Sequence, residues 1–254
     1  MPTKVAIVTG VSRGLGFGIS KHLLQSGYSV VGFGLSDNAD LKKVALQSGT
    51  SYDFHELDFL DLPLLESLMK KVFATISAAH PESVTLINNA AIVTPIGQLK
   101  DLDSTKIQEG MTVNLIAPIL LSKVFMASFE KSPGRKRIIH ISSGAVVRTL
   151  PGSNVYCIAK AGLEMLVKAI DSESQYLATP VESIAFRPGL VDTDMQASLR
   201  KYSPKELPIV DMYLGFKEQN LLRHPDAVAK ILTDKLINAN VESGRIYSID
   251  EFVQ

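Results

Sequence analysis

Short apolar runs rich in β-branched residues alternate with longer segments of helical period along almost the whole chain. No other feature constrains the fold as tightly. Strands are expected over 4–9, 29–35, 52–58, 84–88, 137–142, 181–186 and 244–249. Helices are expected over 14–25, 41–47, 63–79, 105–131, 154–172 and 226–238, the fourth with a break near Gly110. Pro225 stands at the start of the last, where its missing N–H costs nothing. Most strand runs, Val5-Ala6-Ile7-Val8 among them, are continuously apolar, as a parallel strand covered on both faces requires. The alternation predicts an α/β fold with a doubly wound, central parallel seven-stranded sheet flanked by helices. No internal repeat, low-complexity tract or linker divides the 254 residues, so one domain over 1–254 is expected. Segment 189–224 is the least regular, punctuated by Gly189, Pro204, Pro208 and Gly215, and reads as a substrate lid.

Composition closes off several functions. Lys plus Arg and Asp plus Glu both number 26, without the basic excess that nucleic-acid or membrane-surface binding needs. A single cysteine, Cys157, excludes an intramolecular disulfide and reads as buried packing. The five histidines are scattered without metal-ligand spacing, so no metal is expected, and His140, on the fifth strand, reads as a core residue. The apolar stretch 113–129 is interrupted by Asn114, Ser122 and Lys123, which argues against a membrane span. With no secretory pattern at the N-terminus, a cytoplasmic location is expected.

The run Thr9-Gly10-Val11-Ser12-Arg13-Gly14-Leu15-Gly16 follows the first strand and opens the first helix. In that context Gly10 can take a tight turn, Gly14 admits close approach of a phosphate, and Gly16 lets helix pack on strand. A pyrophosphate would meet the free N–H groups of Ser12 to Leu15 at the helix N-terminus. The ordinary dinucleotide fingerprint has a different glycine spacing.

The spacing Thr-Gly-x-x-x-Gly-x-Gly resembles the classical short-chain dehydrogenase/reductase family, and further motifs fall in that family's order. Asn88-Asn89-Ala90-Ala91 follows the fourth strand, with Ala91 in place of the family's glycine. Asn114 stands in a Val-Asn-Leu helix context, and Ser143 lies thirteen residues before Tyr156 of Tyr156-Cys157-Ile158-Ala159-Lys160. Pro188, Gly189, Val191 and Thr193 match the family's segment after the sixth strand. The resemblance covers essentially the whole chain and implies a Rossmann-type fold, a nicotinamide coenzyme, and catalysis by Asn114, Ser143, Tyr156 and Lys160. It also implies coenzyme contacts from Asn89, Tyr156 and Lys160, and a homodimer or homotetramer formed through the 105–131 and 154–172 helices. Asp58 resembles the family's adenine-contacting aspartate, though an Asp opening a loop is an equally plain reading.

Coenzyme choice has a physical argument of its own. An enzyme preferring NAD places a carboxylate at the end of the second strand to bind the ribose 2′-hydroxyl. Here that position reads Leu35 and then Ser36, with Asp37 a step later in the loop. Arg13 can pair with a 2′-phosphate and Ser36 can donate to it, which points to NADP(H); a solvated surface arginine is the alternative.

Tyr156 and Lys160 are four residues apart and share a helical face. A lysine ammonium and an oxidised nicotinamide favour the phenolate, which lets Tyr156 exchange a proton with a carbonyl oxygen. Lys160 can also hold the nicotinamide ribose, Ser143 can stabilise the growing alkoxide, and Asn114 can hold a water linking Lys160 to solvent.

The stretch from Arg187 to Gln196 and the strand around Ser243–Ser248 resemble the sepiapterin reductase and benzil reductase-like subgroup. Sepiapterin reductase anchors its pterin on a carboxylate where this chain has Ser248. The reading is therefore an NADPH-dependent carbonyl reductase acting on a small, mostly apolar ketone or vicinal diketone. Met195, Tyr202, Met212, Tyr213, Leu214 and Phe216 of the lid line its pocket or simply pack, while Arg200, Lys201, Lys205 and Lys217 are expected in solvent. Alternatives are an NAD(H)-linked alcohol or polyol dehydrogenase, separated by coenzyme titration, and a non-catalytic NADPH sensor, which has no need of the proton-transfer groups.

Overall fold

The computed structural model describes residues 4–253 and shows the expected α/β architecture. Seven parallel strands run in the order β3-β2-β1-β4-β5-β6-β7. They are β1 (Lys4–Thr9), β2 (Tyr28–Gly34), β3 (Tyr52–Glu56), β4 (Ser83–Asn88), β5 (Arg135–Ile141), β6 (Glu182–Arg187) and β7 (Ile246–Ser248). Each parallel neighbour needs a crossover, supplied by α1 (Gly14–Gln25), α2 (Ala39–Ser48), α3 (Leu62–Ala78), α4 (Ser104–Met111) with α5 (Ala117–Ser128), α6 (Asn154–Ser174), and α7 (Asp194–Leu199), α8 (Val210–Glu218) and α9 (Pro225–Leu232).

Strand alternation divides the core between the two faces of the sheet. Ala6 and Val8 of β1 pack with Leu23 of α1, Leu41 of α2 and Leu232 of α9. Ile7 between them points the other way, into Phe73 of α3, Phe125 of α5 and Ile170 of α6. Each of these aliphatic side chains contributes about 1.5–3 kcal/mol when fully buried. A polar residue on a central strand would forfeit that on one face, which is why the strands read as unbroken apolar runs.

Several boundaries differ from expectation. The 105–131 segment does not break at Gly110: α4 passes into α5 through one wider π turn at Thr112–Ile116, and the helix ends at Ser128. The whole of Ser104–Ser128 is long and apolar enough to cross a membrane, but half of its most apolar window is buried in the domain. The final helix likewise closes through a π turn, Thr233–Ile237. The 189–224 segment is less irregular than its prolines and glycines suggest, because it holds α7 and α8. Its ends are tied together: Arg223 N–H donates to the Leu190 carbonyl at 2.8 Å, and Asp192 N–H to the Arg223 carbonyl at 2.9 Å.

The strand order reverses direction between β1 and β4. Chains leave the carboxyl ends of β1 and β4 in opposite directions there, the crevice where open α/β sheets bind ligands.

Candidate active site

The crevice floor is the glycine turn after β1. Thr9 Oγ1 accepts the N–H groups of Asn89 (2.9 Å) and Ala90 (3.0 Å). Asn89 Nδ2 in return donates to the carbonyls of Thr9 (2.9 Å) and Gly10 (3.2 Å). Asn89 thus holds the turn in place from beneath. Gly16 is required by the same packing, since a Cβ there would lie 2.0 Å from the Gly10 carbonyl oxygen. Gly14 has φ +58°, and a Cβ on it would point at Thr193 Cγ2, 3.5 Å away, into the gap between the turn and the segment after β6. α1 has no side-chain cap and no acidic residue in its first turn, and its N-cap is Arg13. Free backbone donors, the helix dipole and a gap kept clear by glycine fit a dinucleotide pyrophosphate. Leu15 offers only its backbone, because its side chain belongs to the core.

At the adenosine end, β2 stops at Gly34, so Leu35 is outside the strand and 69% exposed. Ser36 is exposed beside it. The 36–38 loop is drawn to the turn by Asn38 Nδ2, which donates to the Ser12 carbonyl at 2.9 Å. Asp37 faces elsewhere, accepting from the Tyr52 hydroxyl at 2.7 Å and pairing with Lys42 at 3.2 Å. Burial alone would raise its carboxyl, but the hydrogen bonds from Tyr52, the Asn38 N–H and Lys42 outweigh that and hold it below the usual range. Arg13 is brought to Asp194 at 3.2 Å, across the gap, rather than to Ser36. Asp58 does not close β3. It lies two residues beyond the strand end, exposed, with Oδ1 accepting the Leu60 N–H at 2.9 Å.

The proton-transfer groups converge where β5, α6 and the π turn meet. Ser143 caps a short helical turn, its Oγ accepting the Ala145 N–H at 3.1 Å, and its hydroxyl is within hydrogen-bond reach of the Tyr156 phenol. Lys160 is buried, donates to the Ile141 carbonyl at 2.7 Å, and stands 5.6 Å from the Tyr156 ring centre. Burial pulls the Lys160 ammonium down to about 8. Burial pushes the Tyr156 phenol up to about 12, the Ser143 hydroxyl pulling it back only in part. Burial thus favours the neutral phenol. Both polar atoms of the buried Asn114 amide are engaged by Ile92: its Oδ1 accepts the Ile92 N–H at 2.9 Å and its Nδ2 donates to the Ile92 carbonyl at 2.7 Å. Asn114 thereby fixes the loop after β4 against the π turn. His140 is a core residue as expected, its Nδ1 3.2 Å from Asn88 Nδ2.

Segment 189–224 packs an apolar cluster against Tyr156. Leu199, Leu207, Val210 and Tyr213 are buried with Val93, and Tyr156, Met195, Tyr202, Met212 and Phe216 pack against them. Leu214 does not join the cluster and is largely exposed. Arg200 is not in free solvent: one guanidinium nitrogen is buried without a partner. Ser248 is spent on a capping box with Glu251. Asp250 pairs with Arg223 and Glu251 with Arg245, so these carboxylates are already matched.

One polar network escaped the sequence reading. Glu164 accepts from Ser142 Oγ (2.6 Å) and from Arg187 Nε (2.7 Å) and Nη2 (2.6 Å). It joins the residue before Ser143 to the residue before Pro188, at the carboxyl ends of the neighbouring strands β5 and β6. The signal was present: Glu164 lies four residues after Lys160, on the same helical face.

Comparison with known proteins agrees with the geometry. The family model for short chain dehydrogenases matches residues 4–203. The benzil reductase ((S)-benzoin forming) of Bacillus cereus is 34% identical over 248 residues, covering 98% of this chain and all of that protein. The sepiapterin reductase of Bos taurus is 29% identical over 255 residues, covering 94% of this chain and 92% of that protein. Among solved structures, the KRED1-Pglu enzyme superposes with a TM-score of 0.81 at 24% identity, over 96% of this chain and all of that one.

Proposed function

This chain belongs to the short chain dehydrogenase family, and from that membership we propose that it is an NADPH-dependent carbonyl reductase of small, mostly apolar ketones and vicinal diketones. The observation that carries the reading is the buried Tyr156 phenol, set beside the Ser143 hydroxyl and the Lys160 ammonium and packed against an apolar cluster. Coenzyme bound along the glycine turn supplies the hydride equivalent. The protein's own part is to hold the substrate oxygen and protonate it. Ser143 O–H and Tyr156 O–H both point their donors at one acceptor, stabilising the negative charge that grows on the carbonyl oxygen. Tyr156 then releases its proton to that oxygen, and the Lys160 ammonium beside the ring lowers the cost of the phenolate left behind. Lys160 has N–H groups to spare beyond Ile141 for a ribose hydroxyl.

NADPH rather than NADH is supported by the exposed Arg13 and Ser36 and by Leu35 in place of a carboxylate. Asp37, the one nearby carboxylate, is held by Tyr52 and Lys42. A neutral substrate is supported by the lid cluster, and a pterin is disfavoured by the capped Ser248. The reading extends to one Rossmann-type domain over the chain and a cytoplasmic protein free of nucleic acid and membrane. It also extends to a homodimer or homotetramer, for which Ile116 and Ile119 at the start of α5, with Ile158 and Met165 on α6, leave apolar side chains uncovered. The test is kcat/KM with NADPH for benzil, sepiapterin and a keto sugar. Benzil is expected to lead; a tenfold or larger advantage for sepiapterin or the sugar refutes the apolar-ketone assignment.

A further inference from the structure

Tyr156, Lys160 and Glu164 follow one another at intervals of four and make one stripe along α6. Each is engaged with the end of β5. The Tyr156 phenol meets the Ser143 hydroxyl, Lys160 donates to the Ile141 carbonyl at 2.7 Å, and Glu164 accepts from Ser142 Oγ at 2.6 Å. The first two contacts belong to the proton-transfer site, and the third is used by no step of the chemistry above.

Glu164 and Ser142 are both buried. Apolar side chains could pack helix on sheet here, and a buried ion pair rarely outdoes them in stability. What the charged group adds is direction. Oε1 accepts from Ser142 Oγ and Arg187 Nε, and Oε2 accepts from Arg187 Nη2, so the carboxylate cannot rotate without breaking a bond. Arg187 closes β6, and Phe186 before it accepts the Ser142 N–H at 2.8 Å. Ser142 is therefore fixed through its backbone by β6 and through its side chain by α6.

Ser143 depends on that fixing because little holds it from the other side. Its backbone is extended, with φ −156° and ψ 153°, and runs straight on from Ser142. Of residues 143–150 only Ala145 is buried. Gly144 is exposed, and a Cβ on it would meet nothing within 4 Å.

We propose that Glu164 is a positioning residue for the reduction: through Ser142 it sets the Ser143 hydroxyl against the Tyr156 phenol. Phenol and carboxylate stand on the same helix, so the spacing of the two hydroxyls becomes a property of one rigid element. Arg187 keeps the carboxylate charged and aimed. The inference rests on the carbonyl-reductase reading and adds to it a residue outside the four proton-transfer groups. Its signature is non-additivity: a group that acts only through Ser143 has nothing left to lose once the Ser143 hydroxyl is gone.

The experiment measures kcat with saturating benzil and NADPH, and the NADPH Kd, for Ser142→Ala and Glu164→Gln, each alone and combined with Ser143→Ala. Ser142→Ala removes one oxygen atom and leaves the Glu164–Arg187 pair in place, so it decides the matter even where Glu164→Gln fails to fold. Each single variant is expected to lower kcat by at least about fivefold, with the NADPH Kd within about twofold of wild type. On the Ser143→Ala background the same change is expected to lower kcat by less than about twofold. A larger loss on that background marks a general weakening of the fold and overturns the proposal. So does a Ser142→Ala enzyme that keeps more than about a fifth of the wild-type kcat, or an NADPH Kd moved beyond about twofold. In each of these cases the carbonyl-reductase reading stands. A wild type that reduces no ketone with NADPH overturns that reading and this inference with it.

Discussion

Replacing Arg13 by alanine tests how the coenzyme is chosen. In the structure Arg13 is paired with Asp194 at 3.2 Å, but both side chains are more than two-thirds exposed. An exposed pair of this kind is worth at most about 1 kcal/mol. A charge-assisted hydrogen bond to a 2′-phosphate is worth about 1.5–3 kcal/mol. The phosphate therefore wins Arg13 from Asp194, at a discount set by the pair it breaks. Arg13→Ala should cost NADPH about two- to 150-fold in kcat/KM, the range those energies convert to once the broken pair is subtracted, and leave NADH within about threefold. Asp194→Asn removes the competitor and should improve NADPH by up to about fivefold, again without moving NADH. In the double variant that gain should vanish, because Asp194 acts only through Arg13. Steady-state kinetics with both coenzymes and one saturating ketone read all four enzymes. Equal weakening of NADPH and NADH by Arg13→Ala, or an Asp194→Asn gain that survives without Arg13, refutes the argument.

Two further outcomes are expected. Tyr156→Phe should keep coenzyme binding and thermal stability while losing about 10²–10⁴-fold in turnover, the usual contribution of a general acid; turnover within about threefold of wild type removes Tyr156 from that role. His140 is pushed down to about 3 by burial, assisted by the Lys160 charge. Its neutral form therefore gives stability that is whole above an unfolded value of about 6.5 and is lost at about 1.4 kcal/mol per unit as pH falls from there toward 3. Urea midpoints of wild type and His140→Gln between pH 7.5 and 4.5 measure it, and parallel curves for the two proteins would sink the assignment.

The strands were legible because a parallel strand covered on both faces leaves no room for polar residues, and the pattern survives without any tertiary information. The boundaries were less so. Leu35 continues the apolar run of β2 yet lies outside it, because the chain must turn toward the ligand crevice at Gly34. Asp58 follows β3 by two residues for a similar reason. The 105–131 segment looked broken at Gly110 because glycine lowers helix propensity by about 1 kcal/mol, but packing against α6 and the loop after β4 overrides so small a bias. The lid helices were hidden by the same weighting of Pro204, Pro208 and Gly215, although Thr193 and the apolar spacing of 210–216 were available as signals. At the site, residue identities were readable and directions were not. Arg13 turned to Asp194, and Asn89 and Asn114 turned inward to hold backbone, decided by partners 181, 80 and 22 residues away respectively.

The protonation state of Tyr156 bears on which way the reaction is arranged to run. To oxidise an alcohol, the phenol must first give up its proton and act as a base. Burial opposes that step by favouring the neutral form. To reduce a carbonyl, the phenol must begin protonated, and burial favours that start. Lys160 completes the asymmetry: its ammonium, itself weakened by burial to about 8, does not ionise the tyrosine in the resting site. It lies near enough, 5.6 Å from the ring, to stabilise the phenolate once the proton has moved to the substrate. Ser143 adds to the same bias, since its O–H, which pulls on the Tyr156 phenol in the structure, can donate to an incoming oxygen. A buried phenol that favours its neutral form, beside a serine hydroxyl and against apolar side chains, suits a carbonyl entering. An alcohol would bring a third donor and find no free base. The apolar cluster is part of this argument as well as of substrate fit, because Tyr156 packs against it and the burial that favours the neutral phenol comes in part from that contact.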